Sequence, residues 1–460
     1  MLTIPFLAFV AFSAMVAVLN PRMGWLLALL CGVLQDPIRK MTPGTPVALT
    51  LSVLIVYAGA LLGSQRLLAL ELGDFTRRFA KLSTLALVFA FFLGLAAITG
   101  LFTFGLEHWK VPALSLFLYC APVPAVLFGY AYLRDEEQLL TIFRFYCIIT
   151  SIALLGTVAE YAGVRSAALG MVAMEGEYIR HLPGIQIRML SGIYRAPDIM
   201  AWHAATLTSI SAAMAVRAGL RFRAWPWMLG AAWGFLSCVL SGRRKALYMV
   251  AAFGAVFVWR YFRRFTKAQL VALLVIALAL AGVLANIARN ERTSVYAKGT
   301  ATTRAEIAQR LEGGAIETVR QFGVLGAGLG VATQGVWHLI PGGKTIGWQE
   351  GGLAKLTVEL GVPGLAAAML LAWTLVRLLL RIAQYPDEPE TSQFLRVTLF
   401  ALVLSNAANF AASAQAYSDA VLTLLTAFFL GCLLATAALA DRAKATRPAT
   451  APQLTAPAPA

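Results

Sequence analysis

Residues 83–104 read STLALVFAFFLGLAAITGLFTF, a run without a single charged side chain. An α-helix needs about 20 apolar residues to cross the hydrocarbon layer of a bilayer, and it satisfies its own backbone hydrogen bonds there. The run therefore predicts a transmembrane helix. It decides the fold class because similar runs recur along the whole chain.

The apolar runs predict an all-α, polytopic membrane protein with about twelve spanning helices. The composition agrees, since 59% of the 460 residues are hydrophobic and only 13% are charged. Residues 22–35 are apolar but short, and predict either a half-helix or a thirteenth span. The predicted spans lie at 2–20, 45–63, 83–104, 112–132, 139–160, 197–216, 225–241, 246–259, 268–288, 351–380, 396–414 and 418–440.

Lysines and arginines in short loops predict the orientation, because these residues favour the cytoplasmic side. Basic residues cluster near 66–81, 134–138, 217–223, 260–267 and 377–381, which assigns these loops to the cytoplasm. The loops at 161–196, 241–245 and 289–350 then lie outside. We expect a multi-pass membrane protein whose candidate site lies on the outer side.

The same pattern divides the chain into four parts. Residues 1–288 hold about nine spans and the outer loop 161–196. Residues 289–350 form a long insertion on the outer side, with helical periodicity in its central part. Residues 351–440 hold the last spans. Residues 441–460, rich in Pro, Ala and Thr, predict a disordered cytoplasmic tail.

Several basic residues fall on the outer side. The preference of lysine and arginine for the cytoplasmic side, called here the charge rule, predicts few of them there. An electropositive pocket at that face favours an anionic ligand such as a pyrophosphate. Part of the net charge of +16 is the ordinary cytoplasmic surplus, so these outer residues are the informative ones. They are Arg188, Arg195, Arg243, Arg244, Lys245, Arg304 and Arg310.

The first group lies between Arg188 and Ala201, where a polar loop passes Gly192 and enters an apolar run at Pro197. Proline suits the first turn of a helix, and a helix N-terminus favours anions. Arginines at such a place are also consistent with contacts to lipid phosphates.

The second group is the turn Ser241–Lys245, which carries three consecutive positive charges between two apolar runs. Either the topology is inverted or these charges serve a ligand, and the other loops argue against inversion.

The third group is the insertion. Residues 304–320 predict a helix with a break at Gly313–Gly314, followed by glycines at 326, 328 and 330. No strand–turn–helix alternation accompanies these glycines, so they favour close backbone packing or a turn over a dinucleotide site.

The order of these motifs resembles the O-antigen ligase and O-antigen polymerase superfamily, over roughly residues 180–370. The matching elements are Arg188 to Ala201, Gly242 to Ala246, Arg310 to Gly330, and Glu359-Leu-Gly361-Val-Pro-Gly364. The resemblance implies a GT-C-like, metal-independent glycosyltransferase of a bacterial cytoplasmic (inner) membrane, with its active site facing the periplasm. Its donor would be a glycan linked to undecaprenyl pyrophosphate, and its acceptor another glycan or the lipid A core of lipopolysaccharide.

The resemblance also implies roles for residues. Arg188, Arg244 and Arg310 would hold the pyrophosphate, and their positions in the sequence add Arg195, Arg243 and Arg304 as candidates. No metal or other cofactor is predicted, and no nucleic-acid partner. The partners would be the lipid-linked donor, the acceptor and the surrounding membrane lipids.

One departure concerns the catalytic base. Ligases of this family carry a histidine eleven residues before the glycine that corresponds to Gly361, and this chain has Glu350 there. Glu350 is a candidate base, with a simple charge at the helix N-terminus or a partner of an arginine as the alternative. His338 is the competing base, or else an ordinary loop histidine.

Two other functions remain open at this stage. A transporter or flippase for an anionic lipid-linked glycan would also need a basic cavity, but such proteins usually bind near the bilayer midplane. A non-catalytic assembly subunit would explain the missing histidine but not the arginines. The sequence does not distinguish a ligase from a polymerase, although Glu350 in place of the histidine favours a polymerase or an atypical ligase.

Overall fold

The structure, a computed structural model, describes residues 2–170, 179–182, 185–219, 222–261, 314–333, 336, 339–340, 347, 349–384 and 390–446. Within these ranges the regular secondary structure is helical apart from one short antiparallel hairpin, so the all-α prediction is confirmed in its main feature. The hairpin pairs Ile179 with Arg188 and Leu182 with Ile185.

The described helices and strands follow one another in this order. They are α1 (Thr3–Leu19), α2 (Pro21–Met41), α3 (Ser52–Arg78), α4 (Ala80–Phe104), α5 (Lys110–Cys120), α6 (Pro122–Tyr132), α7 (Glu136–Ala153), α8 (Leu155–Tyr161), β1 (Ile179–Leu182), β2 (Ile185–Arg188), α9 (Pro197–Arg217), α10 (Trp225–Leu240), α11 (Arg244–Tyr261), α12 (Gly314–Phe322), α13 (Gly352–Ile382), α14 (Glu390–Ala412) and α15 (Ala420–Thr446).

Eight segments in the described ranges are long and apolar enough to cross a membrane, which makes the chain a polytopic membrane protein. The predicted spans at 2–20, 225–241 and 246–259 coincide with α1, α10 and α11, which fall outside that set of eight. The predicted span at 268–288 lies outside the described residues.

Residues 22–35, ambiguous in the sequence, belong to the continuous helix α2. Asn20 caps it by accepting a hydrogen bond from the Met23 amide at 3.2 Å, and Pro21 occupies the first turn. Trp25 is 1% exposed and stacks on Phe428 of α15 at a ring-centroid distance of 4.5 Å. This helix is therefore part of the core.

The closest helix pair at the centre of the bundle is α6 with α15. A Cβ added to Gly129 would lie 2.2 Å from the Phe428 carbonyl oxygen, and one added to Gly431 would lie 2.0 Å from that of Val126. Only glycine permits this approach, which is a common way for helices to associate where no water drives them together.

Helices α4 and α13 pack on each other at the periphery and leave large apolar side chains uncovered. Phe102 is 84% exposed and Trp373 is 55% exposed. In a membrane these surfaces contact lipid, so the polar site has to be sought elsewhere on the bundle.

Loop sequences gather at two ends of the bundle. One end holds the loop before α9 and the α10–α11 turn, because Arg243 pairs with Asp198. Residues 350 and 413–419 lie at the same end, and the Ala414 amide donates to the Glu350 carbonyl there. The α6–α7 turn, with Arg134 paired to Glu71 at 2.7 Å, lies at the opposite end. The charge rule predicts this same grouping of loops.

Candidate functional site

The α10–α11 turn places the first cation of the candidate site. Gly242 has φ +74°, and a Cβ there would lie 2.9 Å from the Met189 side chain, so the turn packs directly against the loop before α9. The Ser241 hydroxyl accepts a hydrogen bond from the Arg243 amide at 3.0 Å. The turn is thereby fixed, with Arg243 on its inner side.

Arg243 forms an ion pair with Asp198, in the first turn of α9, at 2.7 Å. Their side chains are 14% and 15% exposed. Pro197 begins α9, as the sequence predicts, and so places Asp198 at the helix entrance. The pair lines a narrow cavity of about 10 Å³, room for roughly one water molecule.

The second cation of this cavity is Lys245. Its Nζ donates to the Ser413 hydroxyl at 2.6 Å and to the Gln415 amide oxygen at 3.4 Å. Ser413, with Asn409 and Trp202, lines the same cavity. Helices α9, α11 and α14 therefore converge here, bringing two cations and one carboxylate together.

Glu350 adjoins this convergence. Its carbonyl oxygen accepts a hydrogen bond from the Ala414 amide at 2.9 Å, directly beside the serine that Lys245 contacts. A Cβ at Gly352 would lie 2.4 Å from the Phe410 carbonyl oxygen, so the start of α13 sits tightly on the end of α14. The start of α13 and the end of α14, which are far apart in the sequence, are thus neighbours.

Arg244, next to Arg243, is only 6% exposed and begins α11. Its guanidinium is buried within the fold rather than displayed at the surface.

Arg195 occupies a different setting, between two carboxylates. It contacts Asp36 at 3.1 Å and Asp419 at 2.6 Å, and both carboxylates are 2% exposed. Burial lowers the pKa of the guanidinium, but Asp419 and Asp36 outweigh that effect and raise it above its ordinary value. Asp419 also caps α15 by accepting from the Leu422 amide at 3.1 Å.

This arrangement, called here the Arg195 latch (Asp36, Arg195 and Asp419), ties together the ends of α2, α9 and α15. Lys40 adds to it by donating to the carbonyl oxygens of Gly192 and Tyr194 at 2.9 and 2.6 Å. Since two carboxylates already surround its guanidinium, Arg195 is better suited to fixing the loop before α9 than to holding a pyrophosphate.

Arg188 lies at the same end but lines a second cavity. Its guanidinium is 3.9 Å from the Glu160 carboxylate, and its side chain is 43% exposed. The remaining predicted site residues, Arg304, Arg310 and His338, lie outside the described residues.

Glu359 is a buried charge to which the sequence analysis gives no role. It is 0% exposed and accepts hydrogen bonds from the hydroxyls of Tyr119 and Thr333, both at 2.6 Å. The amides of Gly330 and Ala332 approach the same carboxylate at 3.3 Å. An ionisable residue within an apolar span is the signal that marks it in the sequence.

Glu359 holds the glycine-rich segment against a kink in α13. Gly361 has φ +69°, and the Val362 amide donates to the Val324 carbonyl at 2.8 Å instead of continuing the helix ladder. A Cβ at Gly328 would lie 2.2 Å from the backbone nitrogen of Gly100 in α4. The prediction that these glycines serve close backbone packing is confirmed.

Searches with the sequence and the structure found no matching family model, curated protein or solved structure. Only the residues and their geometry therefore indicate what the chain does.

Proposed function

We propose that the chain is an inverting glycosyltransferase that moves a glycan from undecaprenyl pyrophosphate to an acceptor hydroxyl at the periplasmic face of the inner membrane. The observation that best supports this proposal is the meeting of Arg243, Lys245 and Asp198 beside the Glu350 backbone, at one end of a polytopic bundle. Because the cavity between these side chains holds only about one water molecule, a pyrophosphate would bind at its mouth, where the two cations suit its charge.

The chemistry is a single displacement. The acceptor oxygen bonds to the anomeric carbon, the bond from that carbon to the pyrophosphate oxygen breaks, and the acceptor proton passes to a base. Arg243 and Lys245 would stabilise the charge on the departing pyrophosphate, because cations held in fixed positions stabilise the charge that develops in a transition state. Glu350 is our first choice for the base, with His338 as the second.

The finer architecture is part of the same proposal: about twelve spans in a GT-C-like arrangement, with the Arg243 end outside. The opposite end supports this orientation, since it carries Arg134 and Arg260. Transfer to lipid A core would make the protein an O-antigen ligase, and transfer to a second lipid-linked repeat a polysaccharide polymerase. The carboxylate in place of a histidine favours the polymerase or an atypical ligase.

A transporter or flippase is the second candidate, favoured by buried charges inside the candidate spans. Glu359 and Arg396 are 0% and 1% exposed there. Glu359, however, is held by two hydroxyls and two amides of its own fold, which is the pattern of a structural group rather than of a transport site.

Turnover in lipid nanodiscs separates these functions. The purified chain, given a lipid-pyrophosphate glycan and an acceptor, should release undecaprenyl pyrophosphate. Glu350→Gln should lower transfer about a hundredfold or more while donor binding persists, because a general base contributes that much. Arg243→Ala should weaken both transfer and donor binding, because its guanidinium would contact the pyrophosphate.

Two results would change these assignments. Movement of intact donor across a vesicle membrane without bond cleavage would favour the flippase. Wild-type turnover by Glu350→Gln would remove Glu350 as the base and leave His338.

A further inference from the structure

A second cavity, of about 700 Å³, opens at the same end of the bundle as the Arg243 site. It lies beyond the end of α8, and the charged side chains that line it among the described residues are Glu160, Arg165 and Arg188. None of its described lining residues also lines the Arg243 cavity. We call it the Glu160 cavity.

The carboxylate in this cavity is fixed in place. The Glu160 side chain is 5% exposed, and its Oε2 accepts hydrogen bonds from the amides of Ser191 and Gly192 at 3.0 and 2.6 Å. Gly192 has φ +56°, and a Cβ there would lie 2.7 Å from the Thr157 hydroxyl. The loop is thus locked onto α8, and Oε1 faces Arg188 at 3.9 Å.

The size and charge of the Glu160 cavity restrict its ligand. Pockets of about 300–1,000 Å³ take molecules of the size of one or two sugar rings, whereas a lone small anion would fill little of this space. A free anion would also meet the Glu160 carboxylate. A saccharide carrying an oxyanion satisfies both signs of charge, since its hydroxyls can donate to Glu160 while guanidinium groups bind the oxyanion.

We infer that the Glu160 cavity binds an anionic sugar unit of the acceptor glycan, with Arg165 and Arg188 on the oxyanion and Glu160 on ring hydroxyls. This inference rests on the proposed transferase function, because a glycan is an acceptor only if the protein transfers a group to it. The loop from Arg188 to Asp198 joins this cavity to the Arg243 site, so an acceptor held here would lie one short loop from the donor.

Equilibrium binding tests the inference without relying on turnover. The full chain in nanodiscs of zwitterionic lipid is titrated with three disaccharides of equal size: one with a glucuronate, one with a sugar phosphate and one neutral. Each anionic disaccharide should bind about tenfold more tightly than the neutral disaccharide, since one charge-assisted hydrogen bond contributes roughly that factor.

Arg165→Gln and Arg188→Gln should each remove this preference. Arg320→Gln is the matched control, because Arg320 is exposed on α12 and pairs with Glu317, three residues away on the same helix. It should leave the preference intact. The comparison of glucuronate with phosphate decides which oxyanion the cavity takes.

Equal affinity for all three disaccharides, or a preference that survives Arg165→Gln, would overturn the inference. So would recovery of an anionic lipid that occupies the cavity and is displaced by none of the sugars. Anionic-sugar binding without release of undecaprenyl pyrophosphate would leave the cavity assignment standing and refute the transferase.

Discussion

Arg195 and Arg243 lie at the same end of the bundle and are almost equally buried, with side chains 17% and 14% exposed. Their surroundings differ in charge. Arg195 sits between two carboxylates, whereas the cavity of Arg243 is lined by two cations and one carboxylate. Burial alone therefore does not distinguish the two arginines, whereas the described carboxylates that contact each guanidinium do.

The largest expected effect is on the Arg195 latch. Arg195→Met leaves Asp36 and Asp419 buried without their cation, and we expect it to lower the free energy of unfolding by about 3–5 kcal/mol. Denaturant unfolding in mixed micelles measures it. Adding Asp36→Asn should restore part of the loss, and a change below about 1 kcal/mol would show that the latch does not stabilise the fold.

The next effect separates binding from stability. Arg243→Gln should reduce transfer about a hundredfold or more, since a group that stabilises a leaving group contributes that much. Its unfolding free energy should fall far less than that of Arg195→Met. Parallel turnover and unfolding measurements check this, and a loss of stability as large as that of the latch variant would erase the distinction between the two arginines.

A third effect compares two tyrosine–carboxylate hydrogen bonds of equal length. Tyr119 donates to Glu359 and Tyr130 to Asp74, both at 2.6 Å, but Glu359 is 0% exposed and the Asp74 side chain 37%. Tyr119→Phe should lower the free energy of unfolding by about 2 kcal/mol, because a buried carboxylate loses a hydrogen-bond donor. Tyr130→Phe should lower it by less. Equal losses in the two variants would contradict the idea that burial makes the lost hydrogen bond more costly.

The smallest effect is expected at an exposed ion pair. Arg144 pairs with Glu137, and their side chains are 48% and 65% exposed. Water already solvates both charges, so Arg144→Ala should change the free energy of unfolding by less than about 0.5 kcal/mol. A loss near that of Arg195→Met in the same unfolding assay would mean that the assay reports general damage.

The sequence predicts the membrane class and most helices, because each apolar run carries its own signal. It leaves α2 ambiguous because Arg22, Asp36, Arg39 and Lys40 interrupt the apolar character of a helix that is nonetheless continuous. The short hairpin is missed, since neither of its strands shows a run of apolar alternation long enough to predict one.

The candidate site is predictable only in part. The cations of the α10–α11 turn stand out in the sequence because they break the charge rule. The partners of Arg195 do not, since Asp36 is 159 residues away and nothing local indicates that the two meet. Likewise, Glu350 and Ala414 become neighbours only through the packing of α13 on α14.

The Arg195 latch has a consequence for biogenesis. Ribosomes add about 5–20 residues per second, so Arg195 emerges roughly 10–30 s after Asp36, and Asp419 later still. During that interval the α2 carboxylate lacks Arg195, and the basic residues nearest to it in the chain are Arg39 and Lys40 of the same helix. We expect the N-terminal helices to remain loosely associated until the loop before α9 arrives, and the last helix, capped by Asp419, to complete assembly.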